Sequence, residues 1–409
     1  MKIIVINQPL RNRGDEAAHK ALFRSLANCK GIEIEILFTH NQKEDIHDFN
    51  VNLPNVKYTI ISEPHKGYVK IFHLIIKRKI NILRHLHPLI RKICKIYQSA
   101  DIIMCAPGGI CMGKFQNWEH IFLLWIAKLM NKKIAYYGRS FGPFPTQTAE
   151  NRIFKERSLQ LLHSFDFISI RDAKTMELAD KLSLKYIKTT DSAFLNNASD
   201  HINEIPEQLK LLQQKFIVFV PNELIWHPSY AGKTPAENID QFYLSIIEII
   251  QQKYPHHKII MLPQLYNTIN SDYNYFLSIK EKSKNDNIIV LPDTINSDIQ
   301  QTIIAKSDFL IGARYHSIVF AINNNIPFVA LSYEHKIAGL LKQLNKESQS
   351  VDIEHGLETL KGQKIILQSI KQKIETSHKD LDCTYLAKKI AKDAFKEFCS
   401  QFSITPINL

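Results

Sequence analysis

Ile311-Gly312-Ala313-Arg314-Tyr315-His316-Ser317 closes one apolar run, Asp308-Phe309-Leu310-Ile311, and opens another, Ile318-Val319-Phe320-Ala321-Ile322. The first run has the length and continuity of a buried strand, and the second reads as the opening turns of a helix. Gly312 suits the tight turn between them. Arg314 and His316 then fall at the carboxyl end of a strand, beside a helix N-terminus, where open α/β folds bind anions. A permanent fork-shaped cation next to a group that titrates near neutrality suits a substrate carrying phosphate or carboxylate. The competing reading is structural, with Arg314 in an ion pair and His316 capping the helix. The stretch alone leaves both open.

Outward from it the same pattern repeats. A strand over 328–332 and a helix over 336–344 follow, then two helices near 355–376 and 381–402. Before it, strands over 216–220, 258–262 and 288–291 alternate with helices over 237–253, 270–282 and 297–305. A polar segment, 196–214, contains Pro206 and marks a domain junction. Ahead of that junction lie strands over 2–7, 32–38, 56–62, 101–106, 133–137, 165–170 and 185–188, interleaved with helices over 16–28, 118–130 and 148–163 and one ending at Lys181. Residues 32–38 alternate apolar residues with Glu, which predicts a strand exposed on one face. Strands alternating with helices through short connections argue for parallel sheets. The expected architecture is α/β: two Rossmann-like parallel-sheet domains, 1–200 and 210–409, facing a cleft where ligands meet the strand ends. The last helix is free to pack back on the first domain.

A chain of 409 residues exceeds one ordinary core, in keeping with two domains. The opening apolar run, Lys2 to Asn7, is too short for a signal peptide, and no stretch reaches the ~18 apolar residues of a membrane span. Six cysteines are spread without a CxxC pair, which points to reduced thiols, a cytoplasmic setting and no structural zinc. The net charge of +12 is unevenly placed. Between His65 and Gln98 stand nine Lys and Arg, no Asp or Glu, and a helical spacing of Ile and Leu broken near Pro88. Such a basic amphipathic stretch suits an anionic membrane surface; its plain alternative is a core-packed helix with a solvated basic face. Nucleic acid is not indicated, because no binding module is present and the aromatics are not spaced as stacking platforms.

Polar residues recur at the expected strand ends: Arg11 to Asp15, Gly108, Gly109, Gly138 to Ser140, Arg171, Asp172 and Asp191 in the first half, and Asn222, Gln264, Asp293, Arg314, His316, Glu334 and Lys336 in the second. Each alone has a plain structural reading; Arg171-Asp172 after a strand suggests an ion pair and a helix cap. Their recurrence along one rim favours a site. The order of motifs also resembles the polysaccharide pyruvyl transferase family. The matching pieces are Asn12-Arg13-Gly14-Asp15-Glu16-Ala17, Pro107-Gly108-Gly109, Gly138-Arg139-Ser140-Phe141-Gly142-Pro143, Ile168-Ser169-Ile170-Arg171-Asp172, Asp191-Ser192-Ala193-Phe194, the opening stretch with Phe320-Ala321, and Tyr333-Glu334-His335-Lys336. Arg11 stands where the family usually has Gly, and a family glycine triplet is reduced to Gly108-Gly109.

The resemblance implies a GT-B-like fold and transfer of the pyruvyl group of phosphoenolpyruvate onto a sugar as a ketal. It implies a phosphoenolpyruvate site of Arg171, Arg314, His316 and Lys336; of these, His316 is the candidate general acid or phosphate-side proton donor, because imidazole titrates near neutral pH. Asp15 is the candidate for orienting or deprotonating the acceptor hydroxyl, with helix capping as its structural alternative. Asn12, Arg13, Gly108, Gly109, Arg139 and Ser140 are the acceptor-side candidates. The scheme needs no metal and no cofactor besides the donor substrate. The implied acceptor is a saccharide on a lipid diphosphate carrier, placing the protein at the cytoplasmic face of the cell membrane. Two other functions compete: a GT-B glycosyltransferase using a nucleotide sugar, and a non-catalytic membrane-associated scaffold.

Overall fold

The computed structural model describes residues 1–8, 11–39, 51–61, 68–195, 197, 213–266 and 271–407. The described chain separates into two units. One comprises Met1–Leu10, Ala18–Leu195 and Ile390–Leu409; the other comprises Arg11–Ala17 and Asn196–Lys389. The change of unit at Leu195/Asn196 falls where the polar segment begins, although most of that segment lies outside the described residues. Two pieces cross the boundary drawn from sequence. Arg11–Ala17 belongs with the second unit, and the chain from Ile390 belongs with the first.

The first unit is built on a seven-stranded parallel sheet. Its strands are β1 (Lys2–Ile6), β2 (Glu33–Phe38), β3 (Val56–Ile60), β4 (Ile102–Cys105), β6 (Lys133–Tyr136), β8 (Phe167–Ile170) and β9 (Ile187–Lys188), in the order β3-β2-β1-β4-β6-β8-β9. A separate two-strand ladder pairs β5 (Gly108–Met112) with β7 (Arg139–Phe141). The helices are α1 (Arg13–Ala27), α2 (Tyr68–Arg78), α3 (Pro88–Gln98), α4 (Trp118–Leu129), α5 (Ala149–Leu162) and α6 (Ala173–Lys181). Helices on both faces leave β1 and β4 almost wholly buried. The same covering overrides the one-face exposure expected of β2, where every residue after Glu33 is buried. Glu35 is accommodated there because Lys2 lies 2.6 Å away and the Thr59 hydroxyl donates to it at 2.6 Å.

The second unit carries a six-stranded parallel sheet of β10 (Phe216–Val220), β11 (Lys258–Met261), β12 (Ile288–Val290), β13 (Phe309–Gly312), β14 (Phe328–Ser332) and β15 (Ser350–Asp352), in the order β12-β11-β10-β13-β14-β15. Its helices are α7 (Ala236–Lys253), α8 (Asp272–Ser283), α9 (Ser297–Ala305), α10 (Tyr315–Asn323), α11 (His335–Gln343) and α12 (Leu360–Thr376). The last helix, α13 (Leu381–Gln401), places Phe398 against Phe167 and Tyr137 of the first unit's core, with ring centroids 5.4 and 5.8 Å apart. All six thiols are free. No helix among the described residues is long and apolar enough to cross a membrane.

Candidate active site

The second unit holds Ile311–Ser317. β13 ends at Gly312, and Arg314 becomes the N-cap residue of α10, with φ −94° and ψ 130° and no side-chain cap hydrogen bond. Gly312 is required for a reason other than a left-handed turn, since its φ is not positive. A Cβ there would stand 2.2 Å from the Ser317 Oγ, whose hydroxyl donates to the Arg314 carbonyl at 2.6 Å. Close approach of the first helical turn to the strand end excludes any side chain.

Arg314 donates through one terminal nitrogen to Asp272, the first residue of α8. The second oxygen of Asp272 accepts from the backbone N–H of Gln264 at 2.9 Å and of Leu265 at 3.0 Å. The two side chains are only 11% and 1% exposed. Hydrogen bonds that saturate a buried carboxylate offset its desolvation, so this pair fixes the guanidinium in place. The ion pair weighed from sequence is thus present, but a guanidinium has five N–H donors. The Nε of Arg314 and the Nε2 of Gln264 are buried and hydrogen-bond to nothing among the described residues. Close by, burial pushes the Tyr333 hydroxyl up to about 12, with Arg314 pulling the other way, and the Asn222 side-chain amide is fully buried without a hydrogen-bond partner among the described residues. Buried donors without partners are costly to keep for stability alone and suit recognition of an acceptor-rich ligand.

His316, 7% exposed, sits at the second position of α10 and packs on the backbone of Gly14. A Cβ on Gly14 would fall 1.8 Å from the imidazole Nδ1, so only glycine lets this helix start carry that histidine. Asp15 follows, half-buried. It does not cap α1. Asn12 does, accepting through Oδ1 from Gly14 N at 2.8 Å and Asp15 N at 3.2 Å. Lys336, second residue of α11, lies 3.3 Å from Glu334 with 34% of its side chain exposed.

Arg13, expected on the acceptor side, is instead a buried fastening. Its guanidinium is 2.7 Å from Glu16, donates to the Asp293 carbonyl at 2.6 Å, and lies 3.8 Å above the Tyr266 ring. Glu16 in turn accepts from Ser297 N at 2.9 Å and Ser297 Oγ at 2.7 Å. With 1% and 0% exposure, neither side chain of the pair is open to a substrate. Asn12 is likewise engaged, as a cap and through its bridge to Leu265.

In the first unit Gly108, Gly109, Arg139 and Ser140 share the β5–β7 ladder. Arg139 is 1% exposed and donates to the carbonyls of Ala106, Asn7 and Gly109 at 2.7, 2.9 and 3.2 Å. Ser140 donates to Asp172 at 2.5 Å, and Asp172 caps α6. Arg139 thus fastens backbone, and Ser140 is tied to the cap of α6. A cavity of about 310 Å³ opens beside them, lined by Asn7, Gln8, Cys111, Asn117, Glu119 and Arg139 among others. Glu119 and Asn117, at the start of α4, were not singled out from sequence because the apolar run behind them reads simply as a helix. Burial, and then Arg139, push the His120 imidazole well below its ordinary range. Arg171 pairs with the buried Asp191 rather than with its neighbour Asp172. Asp272 was also missed; an acid in the first turn of a helix ordinarily signals only a favourable macrodipole contact.

Comparison with known proteins bears on the fold and the family. Over 98% of the chain, it superposes on all of a UDP-GlcNAc 2-epimerase from Neisseria meningitidis, with TM-score 0.58 and 12% identity. It also matches Anabaena Alr3699/HepE, solved in complex with UDP and glucose, with TM-score 0.57 and 12% identity over 98% of this chain and 99% of that one. These likenesses establish a GT-B-like fold. In sequence the chain is 24% identical over 247 residues to the amylovoran biosynthesis protein AmsJ of Erwinia amylovora, a match spanning 58% of this chain and 57% of that relative's length. The family model of polysaccharide pyruvyl transferases matches residues 12–335, from the Asn12 cap through Arg314 and His316, and the chain therefore belongs to the polysaccharide pyruvyl transferase family.

Proposed function

We propose that the protein transfers the pyruvyl group of phosphoenolpyruvate onto a sugar of a lipid-linked surface-polysaccharide precursor, forming a ketal, at the inner face of the cell membrane. The observation that carries this reading is the Arg314 corner of the second unit. A buried guanidinium with an unpartnered Nε stands at an uncapped helix start, two residues from His316. Phosphoenolpyruvate carries a phosphate and a carboxylate, and both suit a fixed guanidinium and a helix N-terminus. Lys336, in the same unit, is assigned to the same donor.

In the proposed reaction a proton adds to the methylene carbon of the enol while an acceptor hydroxyl oxygen bonds to the adjacent carbon. The first hydroxyl gives up its proton to Asp15 as it bonds; phosphate leaves with the electron pair of the carbon–oxygen bond, and a second hydroxyl closes the ketal, its proton leaving with the phosphate. His316 supplies the proton on the phosphate side, Arg314 stabilises the developing charge, and Asp15 orients the acceptor hydroxyl. The 310 Å³ cavity of the first unit, with Asn117 and Glu119, suits a sugar ring. The test is incubation with phosphoenolpyruvate and a panel of lipid-linked saccharides. Phosphate release matched by the mass of an added pyruvyl group supports the reading; sugar transfer from a nucleotide sugar instead overturns it.

A further inference from the structure

The described part of the basic stretch, residues 68–98, is not an open amphipathic helix. Both of its helices turn inward: Phe72, Ile75 and Ile76 of α2 and Leu89, Ile90 and Ile93 of α3 lie in the core of the first unit. What faces solvent is the elbow between them. It contains a 3-10 turn over Asn81–His85 in which no residue is buried. Ile80 is 41% exposed, Ile82 68% and Leu86 66%. No other stretch of the described residues exposes three large aliphatic side chains within seven positions. The elbow is firmly held: Arg84 donates to the Leu129 carbonyl at 3.0 Å, and Arg157 donates to the carbonyls of Ile76 and Lys77 at 2.7 and 3.2 Å.

Around these aliphatics the charge is predominantly positive, with Glu156 3.9 Å from Lys79 at its edge. Arg78 and Lys79 enter the elbow exposed, and Arg91, Lys92 and Lys95 form the solvent face of α3. None of Arg78, Arg91, Lys92 or Lys95 has an acidic partner among the described residues. An acidic protein surface would match the cations but leave Ile82 and Leu86 facing polar groups. An anionic bilayer satisfies both, with phosphates at the level of the cations and an apolar phase just beneath. We propose that the elbow is a membrane-docking wedge, inserting Ile82 and Leu86 into the headgroup boundary of an anionic membrane while Arg78, Lys79, Arg91, Lys92 and Lys95 hold its surface. The purpose of the wedge rests on the lipid-linked acceptor proposed above.

Docking is measured without phosphoenolpyruvate or acceptor, by co-sedimentation with phosphatidylcholine vesicles containing or lacking 30% phosphatidylglycerol. Pyruvyl transfer is followed separately in solution, so failure of one leaves the other standing. The wild-type protein should bind the anionic vesicles and be released by salt. The Ile82→Glu/Leu86→Glu variant should bind roughly tenfold more weakly or worse, with unchanged thermal stability because both sites are exposed. Each of Arg91→Glu and Lys92→Glu should weaken binding about fivefold or more. A tryptophan placed at position 82 should shift its emission to the blue on anionic vesicles. Wild-type indifference to anionic vesicles overturns the proposal, as does wild-type-like binding by the double variant. So does a dimer that the double variant dissociates, since the aliphatics would then face a second copy.

Discussion

His316 depends on an absence. The imidazole rests where a side chain on Gly14 would be, 1.8 Å from its Nδ1 to the position of a Cβ. Gly14→Ala should therefore displace the imidazole with little loss elsewhere, and pyruvyl transfer should fall by about 10²-fold or more, the range for a lost proton-transfer group. His316→Ala should fall at least as far. Circular dichroism and a thermal melt should show both variants folded; wild-type turnover in either would remove His316 from the chemistry. His120 makes a different prediction. Its folded-state pKa lies well below the unfolded value of about 6.5, so the unfolded chain binds the extra proton. The stability it contributes is complete above that pH and is lost as pH falls below it, by about 1 kcal/mol per pH unit. Urea titrations from pH 7.5 to 5 should show that slope, and His120→Leu should flatten it. From sequence, Arg314 and His316 were legible because their residue types and their position after an apolar run carry the signal. Arg13 and Ser140 were misread because a polar residue at a strand end looks the same whether it meets a ligand or another part of the protein.

At the scale of elements, the start of α1 is pinned by the Arg13–Glu16–Ser297 chain of buried contacts. Removing one partner strands a buried charge, so Glu16→Ala should cost about 3–5 kcal/mol of unfolding free energy. A cost under 1 kcal/mol, measured by denaturant titration, would mean the pair is not a fastening. Strands such as Phe216–Val220 and Phe328–Ser332 were read to the residue because continuous apolar runs have few alternatives. The β5–β7 ladder and β15 escaped notice: they are short, and glycines or polar residues make up much of them. The basic helices were legible as helices, but their burial was not. An amphipathic pattern shows that an apolar face exists and leaves open whether protein or membrane covers it.

For the whole molecule, the alternation of strand and helix settled the α/β class, and the two parallel sheets follow it closely. No local pattern could have shown that Arg11–Ala17 belongs with the second unit, because that depends on contacts with Gln264, Asp293 and Ser297, some 250–280 residues away. The same contacts put Gly14 and His316 in one unit, which makes the Arg314–His316 corner a property of that unit. The central claim is that this corner holds phosphoenolpyruvate. It is tested most directly by thermal shift with phosphoenolpyruvate and with UDP-sugars, on the wild-type protein and on Arg314→Lys, which keeps a cation beside Asp272 but loses the fork. The account predicts a higher melting temperature for the wild type with phosphoenolpyruvate alone, and little or no shift in the variant. Stabilisation by UDP-sugars with none by phosphoenolpyruvate would contradict it.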